Sequence, residues 1–462
     1  MAAVGKRDMT AGPEWKHILL FSLPIMAGNL LQQLYNTVDA MVVGKAVGKE
    51  ALSAVGGSTA TLINLRVGFF VGLSSGATVI ISQFYGGQRD RDVSDAVHTA
   101  MAMALLFSAF LTAVGIALAP GMLRMMNTPE DVLPHAVTYM RIYFAGTVAS
   151  MIYNIGSGIL RAIGDSRRPL YFLIVSCLTN IALDLLFVVA FHMGVAGVAL
   201  ATILSQCVAA GLVVLSLSHT HESYCLRLRD IRLHRALLGR IVHIGLPAGL
   251  QSVLYSVSNV IIQAAINGFG TDVIAGWTAA SKMDNAFWMI INAFGISITT
   301  FIGQNFGDRR YDRMRQSVRV CLLMSLAATV LVCSALLLFG SRLLWLFSSD
   351  PVVIEQGLAV MRFMVPTYVT YICIEVFSGA LRGAGDSVIP TVMTLVGVCL
   401  LRTVWVAVMV PAHHTLITVL LSYPISWVVG SLMFVVYYYH GGWLKRCIAK
   451  AGFPDAPEGE AR

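Results

Sequence analysis

Ser157-Gly158-Ile159-Leu160-Arg161-Ala162-Ile163-Gly164-Asp165-Ser166-Arg167-Arg168-Pro169 recurs as Ser378-Gly379-Ala380-Leu381-Arg382-Gly383-Ala384-Gly385-Asp386-Ser387-Val388-Ile389-Pro390. Eight of these thirteen positions are identical at an offset of 221. The same offset pairs Asn64 with Asn285, Gln83 with Gln304, Gly86 with Gly307, Arg89 with Arg310 and Met140-Arg141 with Met361-Arg362. Pro24 matches Pro247 after a slip of two residues. A spacing held over so many positions means that the chain is two copies of one structural unit.

Composition says what kind of unit. The 462 residues are 57% hydrophobic and only 12% charged, where a soluble chain would be about a quarter charged. The charges bunch between apolar runs of twenty or more residues, long enough to cross a bilayer as helices. Spans are predicted near 17–43, 51–83, 93–119, 132–161, 168–192 and 195–218, then 239–268, 272–303, 315–340, 352–382, 388–411 and 413–440. The expected fold is an all-α polytopic membrane protein of 12 transmembrane helices. These form two pseudo-symmetric six-helix bundles around a central cleft, a common architecture of secondary transporters. A cytosolic enzyme, a secreted domain and a membrane β-barrel are excluded.

Of the 32 Lys and Arg, 23 fall on the side that carries both termini, and only Lys45, Lys49, Arg124 and Arg342 lie in the opposite loops. The positive-inside rule therefore predicts a cell-membrane protein with both termini cytoplasmic. The net charge of +8 is a topology signal and implies no nucleic-acid partner. The expected organisation is a tail (1–16), an N-lobe (17–218), a cytoplasmic linker (219–238), a C-lobe (239–440) and a second tail (441–462). The first sixteen residues do not read as a cleavable signal peptide. The eight cysteines are scattered singly with no C-x-x-C, and buried apolar thiols are the expectation. No phosphate-cradling or hydrolase motif is found, so no cofactor, no enzymatic activity and no ATP-driven pumping are expected.

The repeated loops read as tight turns: Gly164 and Gly385 end one helix, Asp165 and Asp386 cap the next, and Pro169 and Pro390 open it. Chemistry is expected elsewhere, where polar groups lie inside the spans. An intramembrane carboxylate costs roughly 2.5–3.5 kcal/mol on insertion scales and is a functional candidate by default. The first span carries Asn29, Gln32, Asn36 and Asp39 at spacings that share one helix face, with Tyr35 beside them. The fifth carries Asn180 and Asp184, four apart and therefore stacked. Counting from the span ends puts Asp39 and Asp184 roughly 9 and 12 Å from the same membrane face, with Thr202 of the sixth span at about 10 Å. Asn154 of the fourth span is expected level with Asn180. Asp39, Asp184, Asn180, Thr202 and Asn154 thus form a candidate cation-coupling set. It suits a proton or Na⁺, since hard cations take oxygen ligands; Na⁺ would sit at Asp39, Asp184, Asn180 and Thr202. A buried network that only fixes helix packing is the plainer alternative.

The second copy does not repeat the set: the counterparts of Asp39 and Asp184 fall near Ile261 and Trp405, while Glu375 stands opposite Asn154. Substrate-binding candidates are Gln32, Tyr35, Asn36, Gln206, Tyr255 and Glu375. Lys282 and Asp284, two apart, point to different faces.

Together the two six-helix repeats, the stretch Pro24 to Asp39 with Gln32-Gln33-Leu34-Tyr35-Asn36-Thr37-Val38-Asp39, and both L-R-x-x-G-D-S turns resemble the MATE (multidrug and toxic compound extrusion) family of the MOP flippase superfamily over residues 15–440. The resemblance implies an antiporter that expels organic, often cationic, amphiphiles in exchange for H⁺ or Na⁺. It matches the family's first-helix acid to Asp39, its helix-5 pair to Asn180 and Asp184, and its helix-4 Asn and helix-6 Thr to Asn154 and Thr202. The NorM branch carries an acid on helix 7; here Gln251 to Gln263 contains none, which favours an N-lobe site as in the DinF-like branch. The partners expected are small organic molecules and the lipid bilayer, with the chain a monomer. A lipid-linked oligosaccharide flippase is the alternative within the superfamily, and a non-transporting receptor or scaffold the alternative outside it.

The topology has a direct test. Cysteines placed at Arg167 and Arg235 should react with an impermeant thiol reagent only from the cytoplasm, and those at Lys49 and His413 only from outside. Labelling of positions 49 and 167 from one side would overturn the assignment.

Overall fold

The computed structural model describes residues 9–126, 128–345 and 350–451, and among them it is helical with no strand. The outer ends of the two expected tails, 1–8 and 452–462, lie outside the described residues. The side chains of Lys45 and Lys49 lie outside them as well. The first half comprises α1 (Glu14–Ala46), α2 (Lys49–Gly56), α3 (Ser58–Gly86), α4 (Asp90–Met125), α5 (Leu133–Ala145), α6 (Thr147–Ala162), α7 (Arg167–Asp184) and α8 (Gly194–Ser218). The second comprises α9 (Arg235–Asn267), α10 (Thr271–Gly307), α11 (Tyr311–Trp345), α12 (Pro351–Met364), α13 (Ile372–Gly383), α14 (Val388–Thr394), α15 (Leu401–Ala412), α16 (Leu416–His440) and α17 (Trp443–Ala451).

Among the described residues eleven helical segments are long and apolar enough to cross a membrane. The twelfth expected span, 132–161, is present as α5 and α6, split at Gly146. Its repeat mate is interrupted at the matching place, where the 3₁₀ stretch Val365–Thr370 separates α12 from α13. The sequence reading missed both breaks, because the apolar pattern runs through them.

The repeated turns form as their residues dictate. Gly164 and Gly385 take φ of +86° and +99°, conformations that glycine adopts without a Cβ penalty. Behind each, the next amide reaches back: Asp165 N–H donates to the Leu160 carbonyl at 3.0 Å and Asp386 N–H to that of Leu381 at 2.9 Å. Asp165 then caps α7, its Oδ1 accepting from the amides of Arg167 (3.0 Å) and Arg168 (3.1 Å). The Arg168 guanidinium pairs with Asp165 Oδ2. The second copy has Ile389 where the first has Arg168, so Asp386 turns elsewhere. Its Oδ2 accepts from Tyr437 at 2.5 Å, and Arg446 donates to the same tyrosine oxygen.

Contacts divide the chain into two compact units. Among the described residues one unit holds Leu23–Gly249, and the other holds Met9–Ser22 and Leu250 onward. The start of α1 therefore packs with the second repeat and the start of α9 with the first. The change-over falls beside Pro24 in α1 and Pro247 in α9, where a proline withholds one backbone hydrogen bond and weakens the ladder.

In the second unit the chain before α1 is seated by the Met9 amide on Gln304 Oε1 (3.2 Å) and by Asn305 Nδ2 on the Met9 carbonyl (3.1 Å). An Arg313–Glu14 ion pair at 2.8 Å holds the first turn.

In the first unit Gly72 and Gly76 of α3 face Gly245 and Gly249 of α9, so closely that a Cβ on either α3 glycine would strike α9 backbone. Small residues four apart on both helices are how membrane helices bring their backbones together. Ile241 and Ile244 join the buried core beneath this crossing, and so do Tyr224 and Leu226 from the 219–238 segment. That segment is pinned by the Arg227 amide on His98 Nε2 (3.1 Å) and the His234 amide on Thr99 Oγ1 (3.3 Å).

Gly76→Leu should destabilise the protein by about 2 kcal/mol through overpacking, read as a lowered unfolding midpoint in detergent. Gly211→Leu, at a position whose Cβ meets nothing within 4 Å, should be near neutral. Equal effects would remove the close crossing as their cause.

Candidate functional site

The first unit concentrates its polar side chains where α1, α3, α5, α7 and α8 meet. α1 and α7 run side by side: Gly28 lies against Leu173, whose methyl would be 3.4 Å from an added Cβ. Asp39 is eleven residues beyond Gly28 and Asp184 eleven beyond Leu173, so equal helical rise lifts both to one height. There the two carboxyls come within hydrogen-bonding reach of each other. Asp184 is fully buried. Neither of its oxygens, nor Asp39 Oδ1, meets a hydrogen-bond donor among the described residues.

Asn180, one turn before Asp184, is 1% exposed, and both polar atoms of its amide lack hydrogen-bond partners among the described residues. α8 descends antiparallel to α7 in a register fixed by Ser176 Oγ donating to the Ser205 carbonyl at 2.8 Å. One turn along each helix, that register sets Thr202 level with Asn180. Thr202 Oγ1 donates to the Val198 carbonyl at 3.0 Å, which leaves its lone pairs free to accept or to ligate. Asn154 is placed differently. Its amide donates to the Ser150 carbonyl of its own helix at 2.8 Å, and among the described residues no side-chain hydrogen bond joins it to the carboxylates.

A rim of side chains surrounds the acids, and of these the sequence reading singled out Tyr35 but not Tyr139, Tyr143 or Arg66 as site residues. Tyr35, Tyr139 and Cys177 all lie within electrostatic range of Asp39, and Tyr139 also of Asp184. Tyr139 stacks on Tyr143 at 5.8 Å between centroids, and the Arg66 guanidinium lies 4.2 Å over the Tyr143 ring. Arg66 docks at the break between α5 and α6. Its Nη1 donates to the Tyr143 carbonyl (3.3 Å), one of those a helix end leaves unpaired, and to Thr147 Oγ1 (3.0 Å). Its Nε and Nη2 are buried without hydrogen-bond partners among the described residues. A lone arginine in the middle of an apolar span was the signal for it. Beyond Asp184, the backbone passes into a π-helical turn, Leu185–Ala190, of a kind that accumulates at functional sites. Of the substrate candidates here, Tyr35 belongs to this rim, Gln32 and Asn36 are exposed, and Gln206 is half-buried on α8.

The second unit is built to a different polarity. Arg402 stands at the repeat position of Ile181, 2% exposed. It donates to Ser426 Oγ from Nε (3.4 Å) and Nη2 (3.3 Å), and to Asn259 Oδ1 from Nη1 (3.5 Å). Its guanidinium lies 4.2 Å over Tyr423. Glu375 Oε2 accepts from Tyr371 Oη at 3.3 Å, and that hydroxyl is 3.5 Å from Tyr255 Oη. Asp284 lies within electrostatic range of Tyr368, whose hydroxyl is buried without a hydrogen-bond partner among the described residues, whereas Lys282 is exposed.

With this geometry described, comparison with known proteins is decisive for the family. The MatE family model matches residues 24–186 and again 247–408, once in each repeat. The chain belongs to the MATE family. The family's members are transporters, so this chain is a multi-pass membrane transporter and not an enzyme. It is 29% identical to the probable multidrug resistance protein YpnP of Bacillus subtilis, over 94% of this chain and 97% of that one. It is 26% identical to the probable multidrug resistance protein YoeA of the same organism, over 94% and 96%. A crystal structure of a MATE protein in the bent conformation superposes with a TM-score of 0.87 at 23% identity, covering 96% of this chain and 98% of the other. That likeness shows the shared fold.

Two carboxyls in mutual reach must act as one group. In a double-mutant cycle on thermal stability, Asp39→Asn and Asp184→Asn should be coupled by about 0.5–3 kcal/mol. Strictly additive effects would mean that the two acids do not share a site.

Proposed function

We propose that this transporter is a secondary antiporter that exports organic compounds, cationic amphiphiles among them, in exchange for H⁺ or Na⁺ taken up at Asp39 and Asp184. The observation that carries the reading is the carboxyl pair: a fully buried Asp184 and a half-buried Asp39 in mutual reach, with no cationic side chain bonded to either among the described residues. Two unit charges about 4 Å apart repel by about 4 kcal/mol at an effective dielectric of 20. One proton shared across the pair, or one Na⁺ between them, removes that repulsion. For Na⁺ the buried amide oxygen of Asn180 and the hydroxyl of Thr202 supply further neutral oxygens, the ligands a hard cation takes.

Coupling follows from competition. With the pair ionised, the Tyr35 and Tyr139 rims and the negative charge favour a flat organic cation through ring faces and charge together. Loading the pair with the coupling ion cancels the charge and weakens that hold. Differential affinity of this kind is what lets an ion bias a two-state transporter. Pro24 and Gly28 give α1 a weak point below Asp39 at which to bend when the charge changes. The names of the two Bacillus subtilis relatives, both probable multidrug resistance proteins, support export of drugs, and the acidity of the site disfavours a pyrophosphate-linked lipid as cargo. The basic loops support both termini in the cytoplasm of a cell-membrane protein, acting as a monomer on small molecules without nucleic acid.

In proteoliposomes loaded with a cationic dye, efflux should follow an imposed pH or Na⁺ gradient. Asp39→Asn at equal insertion should reduce gradient-driven efflux to that of empty liposomes. Near-normal driven efflux by the variant would refute the coupling role. Efflux by the wild type under neither gradient alone would refute antiport.

A further inference from the structure

Arg66 carries more hydrogen-bonding capacity than its surroundings use. It stands on α3, 8% exposed, with both N–H groups of Nη1 taken up by the Tyr143 carbonyl and Thr147 Oγ1. Its guanidinium lies 4.2 Å over the Tyr143 ring and 5.5 Å over that of Phe70, which holds its plane in place. Nε and Nη2 remain buried without hydrogen-bond partners among the described residues. These two nitrogens form one edge of the guanidinium. Their parallel N–H groups are the fork that grips a carboxylate with two hydrogen bonds.

The scaffold does not require this cation. At the repeat offset Arg66 corresponds to Phe287, 1% exposed and stacked on Tyr368 at 4.5 Å. The matching interruption of the second copy, Val365–Thr370, forms with that phenylalanine in the arginine's place. An arginine inside a membrane span is costly and marks a site that uses its charge. The neighbours say which site. Tyr35 and Tyr139 lie within electrostatic range of Arg66 and of Asp39 alike, so the fork and the acid pair flank the same two tyrosines.

The geometry points to Arg66 as the residue that holds the carboxylate of a zwitterionic substrate, whose cationic end lies at Asp39 and Asp184. A flat body against the tyrosines would join the two charges. A carboxylate matches the fork in shape and charge, whereas a dianion would be repelled by the acid pair. Without Arg66 any anionic group in the site would face two acids unaided; with it, the site admits zwitterions beside simple cations. The fork is closed to water in this conformation, so a carboxylate that enters as the lobe opens meets little competing solvent. The assignment deepens the antiport reading and rests on it for the cationic end alone.

Fluorescence polarisation on the full chain in detergent, with no gradient, tests it with two dyes that differ at one group: rhodamine 110, a free carboxylate, and rhodamine 123, its methyl ester. The wild type should bind the acid about tenfold more tightly than the ester, as one charge-assisted hydrogen bond allows. Arg66→Gln should bring that ratio to about one, and Arg66→Lys, which keeps the charge but not the fork, should lose most of it. Equal affinities in the wild type, or a ratio that the variants leave unchanged, would overturn the assignment. Loss of the preference in millimolar chloride or acetate would mean a fork for small ions only, and would overturn it as well. Should the variants fail to fold, or neither dye bind, the unfolding midpoint of the wild type decides. Benzoate should raise it above the value in benzamide, and no difference between the two would overturn the site. Gradient-driven efflux of the ester reports on antiport separately: its failure with the ratio intact leaves this site standing, and a ratio of one with efflux intact leaves antiport standing.

Discussion

Two carboxylates that face each other, one fully buried and one half-buried, constrain everything around them. Among the described residues neither Asp39 nor Asp184 has a cation of the protein bonded to it, so the pair is at ease only when something positive joins it. The surrounding helices keep that demand unsatisfied. α7 holds Asp184 and Asn180 on one buried face, α1 delivers Asp39 at the same height, and the Ser176–Ser205 bond sets α8 so that Thr202 closes the side. A salt bridge here would neutralise the pair permanently. Burial without a partner leaves it responsive to the ion that arrives.

Arg66 shows how a cation can be kept nearby without quenching the acids. The break at Gly146 exposes carbonyls at the end of α5, and Arg66 is occupied there and on the Tyr143 ring. Tyr139 feels both the acid pair and the arginine, so the positive charge is separated from the carboxylates by an aromatic layer. A helix break, usually a cost to stability, here supplies the hydrogen-bond acceptors that hold a buried guanidinium in place.

The two repeats share a scaffold and differ in charge. Gly158 packs on Ser74 and Thr78 as Gly379 packs on Gly295 and Thr299, so the helix crossings are copied at the same offset as the turns. Where the first copy buries Asp184, the second buries Arg402 among Asn259, Ser426 and Tyr423. Backbone packing tolerates such divergence because close helix crossings need small residues at a few positions only, and the polar face between them is free to change.

The helix number, the duplication, the glycine–aspartate turns and the pairing of Asp39 with Asp184 were legible in the sequence. They follow from local rules: apolar runs measure a bilayer, glycine marks positive φ, and equal counts from helix ends mean equal depth. The tertiary structure alone decided three further features. The breaks in the fourth and tenth spans interrupt the backbone without interrupting the apolar pattern. The exchange of helix starts at Pro24 and Pro247 depends on which core each turn packs into, and a hydrophobic run does not specify its neighbour. The company of Tyr139, Tyr143 and Arg66 around the acids, and the separate fate of Asn154 on its own helix, depend on side-chain directions between helices. Periodicity within one helix says which residues share a face and at what height; which other face lies opposite is settled only when the helices pack.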